Sequence, residues 1–233
     1  MSFGLGHGRT LDDAPGVVGV SSDELPPLPD DLSDVAARQI DPRQWFADPA
    51  KPFEIEIGSG KGTFLIQQGS ADPETNILGI EWAREFYQYT ADRVRRRQLT
   101  NVRVLHTDAS QLLRWRVPDG ICRVIHLYFS DPWPKKRHHK KRVVQDTFLE
   151  DAHRILVAGG ELRVVTDHDD LWAWVCEHFD RWCADDHPMR FDRLEFDRPE
   201  SAGEGEVVGT NFERKYTREG RPFHACTLRK PTQ

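Results

Sequence analysis

The run from Phe53 to Thr63, FEIEIGSGKGT, constrains the chain more than any other stretch. An alternating apolar segment reads as a strand, glycines at 58, 60 and 62 make a turn, and Thr63 opens a helical pattern. A strand that feeds a glycine-rich turn into a helix begins an open α/β sheet. Its glycines let a ligand approach the backbone without side-chain clashes. Spacing excludes one well-known variant and fits a second poorly. A P-loop needs Gly where Ile55 stands and Ser or Thr where Gly62 stands, and the dinucleotide fingerprint puts its third glycine at Thr63 rather than Gly62.

Beyond the loop, short apolar runs alternate with helical patterns. Strands are expected at 53–57, 77–81, 102–106, 124–129, 161–166, 191–196 and 223–228, and helices at 63–69, 83–98, 145–157 and 169–183. In the last helix Trp172, Val175, Phe179 and Trp182 share one face, the pattern of core packing. After the fifth strand no crossover helix is evident, so the last two strands are expected to form an antiparallel hairpin at the sheet edge.

Acidic residues stand at the C-terminal ends of successive strands, the rim where open α/β sheets hold ligands. Glu56 ends the first, Glu81 the second, and Asp108 follows the third. A carboxylate at Glu81 suits ribose hydroxyls, one at Asp108 an adenine amine, and Glu56 an ammonium group. Asp108 also suits the cap of a short helix from Ala109.

Charge is unevenly spread. The net charge of -6 argues against a surface that grips nucleic acid as a whole. Residues 1–50, however, hold nine acids against three bases, so they account for the entire excess. With six of the fifteen prolines, this stretch reads as a flexible or draped acidic extension, and residues 51–233 as the folded domain. Within that domain Lys135 to Arg142 reads KKRHHKKR, and it follows Asp131-Pro132-Trp133-Pro134 directly. The prolines restrict the backbone around Asp131, and the basic run suits a polyanion. Four scattered cysteines and no apolar leader suggest a reduced, cytoplasmic protein. No apolar run is long enough to span a bilayer, so no membrane partner is expected.

The Glu, GxGxG, Glu, Asp series resembles the S-adenosylmethionine site of class I methyltransferases. The segment from Asp131 to Arg142 resembles the DPWxKxRHxKRR hallmark of bacterial tRNA (guanine-N7-)-methyltransferases, with Lys141 where that hallmark usually carries Arg. Thr166-Asp167-His168 and Thr210-Asn211-Phe212-Glu213 match two further elements of that family. The resemblance spans about 53–228. It implies a Rossmann-like α/β fold with a mostly parallel seven-stranded sheet and a C-terminal antiparallel hairpin. It also implies S-adenosylmethionine as cofactor, S-adenosylhomocysteine as product, no metal, tRNA as partner, and a monomer or homodimer.

Carried onto this sequence, the resemblance places Glu56, Gly58, Gly60, Glu81, Asp108 and Asp131 at the cofactor, with Asp131 catalytic. Lys135, Asp167, Thr210, Asn211, Phe212 and Glu213 would contact the substrate, and Arg137, His138, His139, Lys140, Lys141 and Arg142 the RNA. The family's basic N-terminal arm has no counterpart here. The expected reaction is methylation of guanine N7 at tRNA position 46. Three alternatives stay open: an adenine or cytosine amino-methyltransferase, whose [DNS]PP[FYW] motif is similar to Asp131-Pro132-Trp133, a non-catalytic RNA-binding protein of the same fold, and a nicotinamide dehydrogenase. The glycine spacing and the basic run disfavour the last.

Overall fold

The computed structural model describes residue 11 and residues 25–232. The order of elements is α1 (Val35–Arg38), β1 (Phe53–Ile57), α2 (Thr63–Ala71), β2 (Asn76–Glu81), α3 (Arg84–Arg96), β3 (Val102–His106), α4 (Ala109–Trp115), β4 (Cys122–Tyr128), α5 (Asp146–Ile155), β5 (Leu156–Thr166), α6 (Asp169–Trp182), β6 (Asp192–Leu194), α7 (Asn211–Arg218) and β7 (His224–Arg229). One seven-stranded sheet runs β3-β2-β1-β4-β5-β7-β6. β1 to β5 pair in parallel, whereas β7 lies antiparallel between β5 and β6. β1 is buried along its whole length, as a central strand covered on both faces must be.

The chain order reverses between β1 and β4, so their C-terminal ends flank the crevice in which α/β sheets bind ligands. Glu56, Glu81, Asp108 and Asp131 all reach that edge. The core is apolar: Ile55, Leu78, Leu105, Ile125, Leu162 and Phe179 are buried in one cluster, and Leu65, Ile77, Val94 and Val104 in another.

Two features depart from the pattern read in the sequence, and a third concerns the acidic extension. β5 begins at Leu156, directly after α5, because Cys122 pairs with Leu156 before a register shift resets the ladder at Val124. α7 interrupts the connection between β6 and β7, where no helix was expected. It is polar apart from Phe212 and Tyr216 and buries only Glu213, so one short aromatic pair is all the apolar pattern it offers. Finally, part of the acidic extension packs on the body. Phe46 is buried and meets Phe53 edge to face at 6.0 Å. The Trp45 carbonyl accepts from Arg103 Nε at 2.9 Å, and the Ile40 amide donates to the Arg116 carbonyl at 2.7 Å. Packing therefore begins before residue 51. The acids Asp12, Asp13, Asp23 and Glu24 lie outside the described residues. Among the described residues no helix is long and apolar enough to cross a membrane.

Candidate functional site

The glycine turn is hooked onto the end of β2. The amides of Gly58 and Ser59 donate to the Ile80 carbonyl at 2.8 and 3.1 Å, and the Gly60 amide donates to Glu81 Oε2 at 2.7 Å. Thr90 Oγ1 on α3 closes the loop by donating to the Gly60 carbonyl at 2.9 Å. Gly62 has φ +65°, and a Cβ there would stand 2.3 Å from the Thr90 methyl, so only glycine fits. Gly58 has φ +76° with nothing within 4 Å of where a Cβ would be, which leaves open space above the loop.

Two glutamates on β1 face opposite electrostatic conditions. Burial would raise the carboxyl of Glu54, but the hydrogen bond and charge of His126 and the charge of Arg123 bring it down to about 2. Glu56, 4% exposed, has no such partner: its Oε2 is buried without a hydrogen bond. Burial first, and then the charge of Glu81, push its carboxyl up to about 8. A buried acid without a partner at the mouth of a glycine loop is the group a cationic ligand would satisfy.

Glu81 uses both oxygens on backbone, accepting from Ala83 on Oε1 at 2.8 Å and from Gly60 on Oε2 at 2.7 Å. The Trp82 amide is a third backbone donor to the carboxylate, which, of about four lone-pair positions, leaves one for a ligand hydroxyl. Burial raises its carboxyl against those bonds, and the charge of Asp131 adds to the rise, which ties the fourth strand's acid electrostatically to the second's. Asp108 caps α4: its Oδ1 accepts from the amides of Ser110 at 2.8 Å and Gln111 at 3.4 Å, and both bonds leave Oδ2 uncommitted. Trp82, next to Glu81, is 72% exposed. Sequence reading missed it, since a tryptophan at a strand end is expected inside.

Asp131 is exposed and sits between two backbone outliers, Phe129 at φ +54° and Trp133 at φ +42°. Such conformations persist only where surrounding contacts impose them. Here the Phe129 amide donates to the Val165 carbonyl at 2.8 Å, and its ring meets Phe223 and Tyr216 with centroids at 5.7 and 6.1 Å. Asp167 is largely buried and pairs with Arg221 at 2.7 Å. The Arg221 guanidinium in turn stands 4.2 Å from the Tyr216 ring centroid. Neither Arg221 nor Tyr216 belongs to a motif read from the sequence.

α7 lies against the glycine loop. Asn211 Nδ2 donates to Thr63 Oγ1 at 2.7 Å, and the Phe212 ring comes within 3.9 Å of where a Cβ on Gly60 would be. Thr210 and Glu213 also have structural work. Thr210 Oγ1 accepts from the Glu213 amide at 3.0 Å. Glu213, 2% exposed, accepts from the amides of Val207, Val208 and Gly209, the last two at 2.9 and 2.7 Å. From the first turn of α7 the Glu213 side chain thus reaches back to the loop preceding the helix, with both oxygens accepting from its backbone. The residue expected to contact substrate therefore also holds that loop in place.

The basic run forms a 3-10 turn over Lys136–Lys141. Lys135, Lys136, Arg137, Lys140 and Lys141 are exposed, while His138 and His139 are half-buried. Lys141 Nζ stands 4.6 Å from the Trp133 ring centroid, whose edge also meets His138. Arg142 departs from the expectation: it is 2% exposed, and its guanidinium is engaged by Pro132, Asp170 and Trp174, so it presents nothing to RNA.

The fold and this rim of acids define the seven-stranded α/β methyltransferase class. A family described as "Putative methyltransferase" matches residues 50–226. The chain is 34% identical over 173 residues to the tRNA (guanine-N(7)-)-methyltransferase of Streptococcus pneumoniae strain CGSP14, covering 74% of this chain and 79% of that protein. To the enzyme of the same name from Corynebacterium diphtheriae it is 33% identical over 186 residues, 76% of this chain and 72% of that one. The chain therefore belongs to the tRNA (guanine-N(7)-)-methyltransferase family. Solved structures agree on fold alone. The 4+2 cyclase SpnF matches with a TM-score of 0.53 at 16% identity, over 87% of this chain and 81% of its own. The aminoglycoside resistance methyltransferase NpmB1 matches with 0.52 at 16%, over 77% and 87%. A cyclase and a methyltransferase on one scaffold show why the site, not the fold, must carry the function.

Proposed function

We propose that this chain methylates N7 of a guanine in tRNA, with S-adenosylmethionine as methyl donor and the variable-loop guanosine at position 46 as target. The observation that carries the reading is the position of Asp131: it stands on the rim shared with Glu56, Glu81 and Asp108, and an exposed basic run starts four residues later. The relatives named above carry this activity in their names.

The residues fit the cofactor. Glu56, with its unpartnered buried oxygen, would receive the ammonium group. Glu81 would accept from a ribose hydroxyl on its remaining lone pair, Asp108 Oδ2 from the adenine amine, and the space above Gly58 admits the chain between them. When bound, S-adenosylmethionine supplies an electrophilic sulfonium methyl group.

Guanine N7 carries an in-plane lone pair and no proton, so the protein has no proton to remove, and its task is positioning. Asp131, held between two strained residues, would accept from the N1 and N2 donors of the base and offset the positive charge that grows on the ring. Asp167, fixed by Arg221, offers a second acceptor on the next strand end. Lys135, Lys136, Arg137, Lys140 and Lys141 would hold phosphates, contributing affinity that falls with salt. The test is mass spectrometry of nucleosides from unmodified tRNA incubated with enzyme and S-adenosylmethionine. N7-methylguanosine is expected; N6-methyladenosine or N4-methylcytidine in its place would assign the site to amino methylation.

A further inference from the structure

We infer that Arg142 is a positioning residue for Asp131: a buried clamp that ties the Asp131-Pro132-Trp133 turn to α6. This rests on the proposed role of Asp131. The side chain that ends the basic run points inward. Arg142 Nε donates to the Pro132 carbonyl at 2.9 Å, the carbonyl of the residue next to Asp131. Its two terminal nitrogens reach Asp170 at the start of α6, one to the carboxylate and one to the main-chain carbonyl at 3.5 Å. The guanidinium plane is backed by the Trp174 ring, 5.3 Å from its centroid. Trp174 is itself fixed, since its indole Nε1 donates to the Val144 carbonyl at 2.7 Å.

The run is thereby divided by function. His139 joins Arg142 on the inner side, with its ring against Trp174 at 5.6 Å and its Nε2 4.0 Å from Asp170. Lys136, Arg137, Lys140 and Lys141 remain outside. A turn carrying Trp133 at φ +42° needs contacts that impose that geometry, and among the described residues the Arg142 fork is the side-chain donor bound to it at Pro132. Arginine is required for this. Its planar fork serves Pro132 and Asp170 at once and stacks on the indole, whereas lysine has one donor centre and no plane. Misplacing a reacting group by about 1 Å can cost about a hundredfold in rate.

The experiment compares Arg142→Lys and Asp170→Ala with Lys140→Ala in the full-length protein, reading kcat, KM for tRNA, its salt dependence, and hydrogen exchange of the 129–135 segment. Asp170 is more than half exposed, so its replacement tests the clamp without emptying the core. Both clamp variants are expected to lower kcat roughly tenfold or more. Their KM and salt slope should stay within twofold of wild type, and exchange in the 129–135 segment should be faster. Lys140→Ala should instead raise KM and reduce the slope. A clamp variant with unchanged kcat and a lower melting temperature would reduce Arg142 to a strut, and one with raised KM and a flatter slope would make it a phosphate contact; either overturns the inference. If wild type methylates a different base, the functional reading fails, but the clamp is still judged by kcat on that base and by exchange.

Discussion

Replacing Glu56 with Gln should make the cofactor-free protein more stable at alkaline pH while weakening its hold on cofactor. The Glu56 carboxyl lies at about 8, against an ordinary value of 4.5. For an acid whose pKa rises on folding, ionisation is disfavoured in the folded state. The cost is absent below pH 4.5, grows as pH rises, and is complete above about pH 8. At about 1.4 kcal/mol per pH unit, the full span caps the cost at roughly 5 kcal/mol. Even about 2 kcal/mol of it would shift the melting temperature by about 4–8 °C in a domain of this size. Thermal unfolding without cofactor should therefore give Glu56→Gln a higher melting temperature than wild type at pH 8.5 and an equal one near pH 4. The same linkage governs binding. Between pH 6 and 7.5, S-adenosylhomocysteine should bind wild type with proton release, measured by calorimetry in buffers of different ionisation enthalpy, and the release should vanish in the variant. A variant no more stable than wild type at pH 8.5, together with binding that releases no proton, would refute the view of Glu56 as an unpartnered acid awaiting an ammonium group.

Asp131→Ala should keep cofactor affinity within about threefold and lose about a hundredfold or more in kcat, read by single-turnover transfer to tRNA. Lys140→Ala with Lys141→Ala should weaken tRNA binding and reduce the slope of log affinity against log salt by about 1.4–1.8, as two lost phosphate contacts require. Glu213→Ala should destabilise the fold by about 3–5 kcal/mol in denaturant unfolding, since three backbone amides lose their acceptor. An effect of that variant confined to KM, with stability unchanged, would return Glu213 to the substrate site.

Much of this architecture was written locally. Phe53 to Ile57 alternates, ends in glycine and is β1 as read; Glu56, Glu81 and Asp108 stand at strand ends because the strands that carry them are short, apolar and cleanly punctuated. What remained hidden was each carboxylate's partner. Glu54 and Glu56 are two residues apart on one strand and look alike in sequence. One meets His126 and Arg123, about seventy residues on, and the other meets no donor among the described residues. Arg142 belongs to a run that composition reads as uniformly solvated, yet its neighbours Asp170 and Trp174 arrive from a helix that the run itself does not predict. Thr210 to Glu213 has the spacing of a helix cap, Thr-x-x-Glu, and Thr210 fills it by accepting from the Glu213 amide, whereas the Glu213 carboxylate reaches past the cap to Val207, Val208 and Gly209. α7 went unseen because its eight residues offer only Phe212 and Tyr216 as an apolar pattern, and the cap and the contact to the glycine loop that also hold it are not visible as periodicity.

The central claim is a guanine N7 methyl transfer at one site in tRNA. Labelled S-adenosylmethionine should be supplied with two otherwise identical tRNA transcripts, one with guanosine and one with adenosine at position 46. Label recovered as N7-methylguanosine from the first and none from the second is the predicted result; equal labelling of both transcripts, or label recovered as N6-methyladenosine, would contradict it.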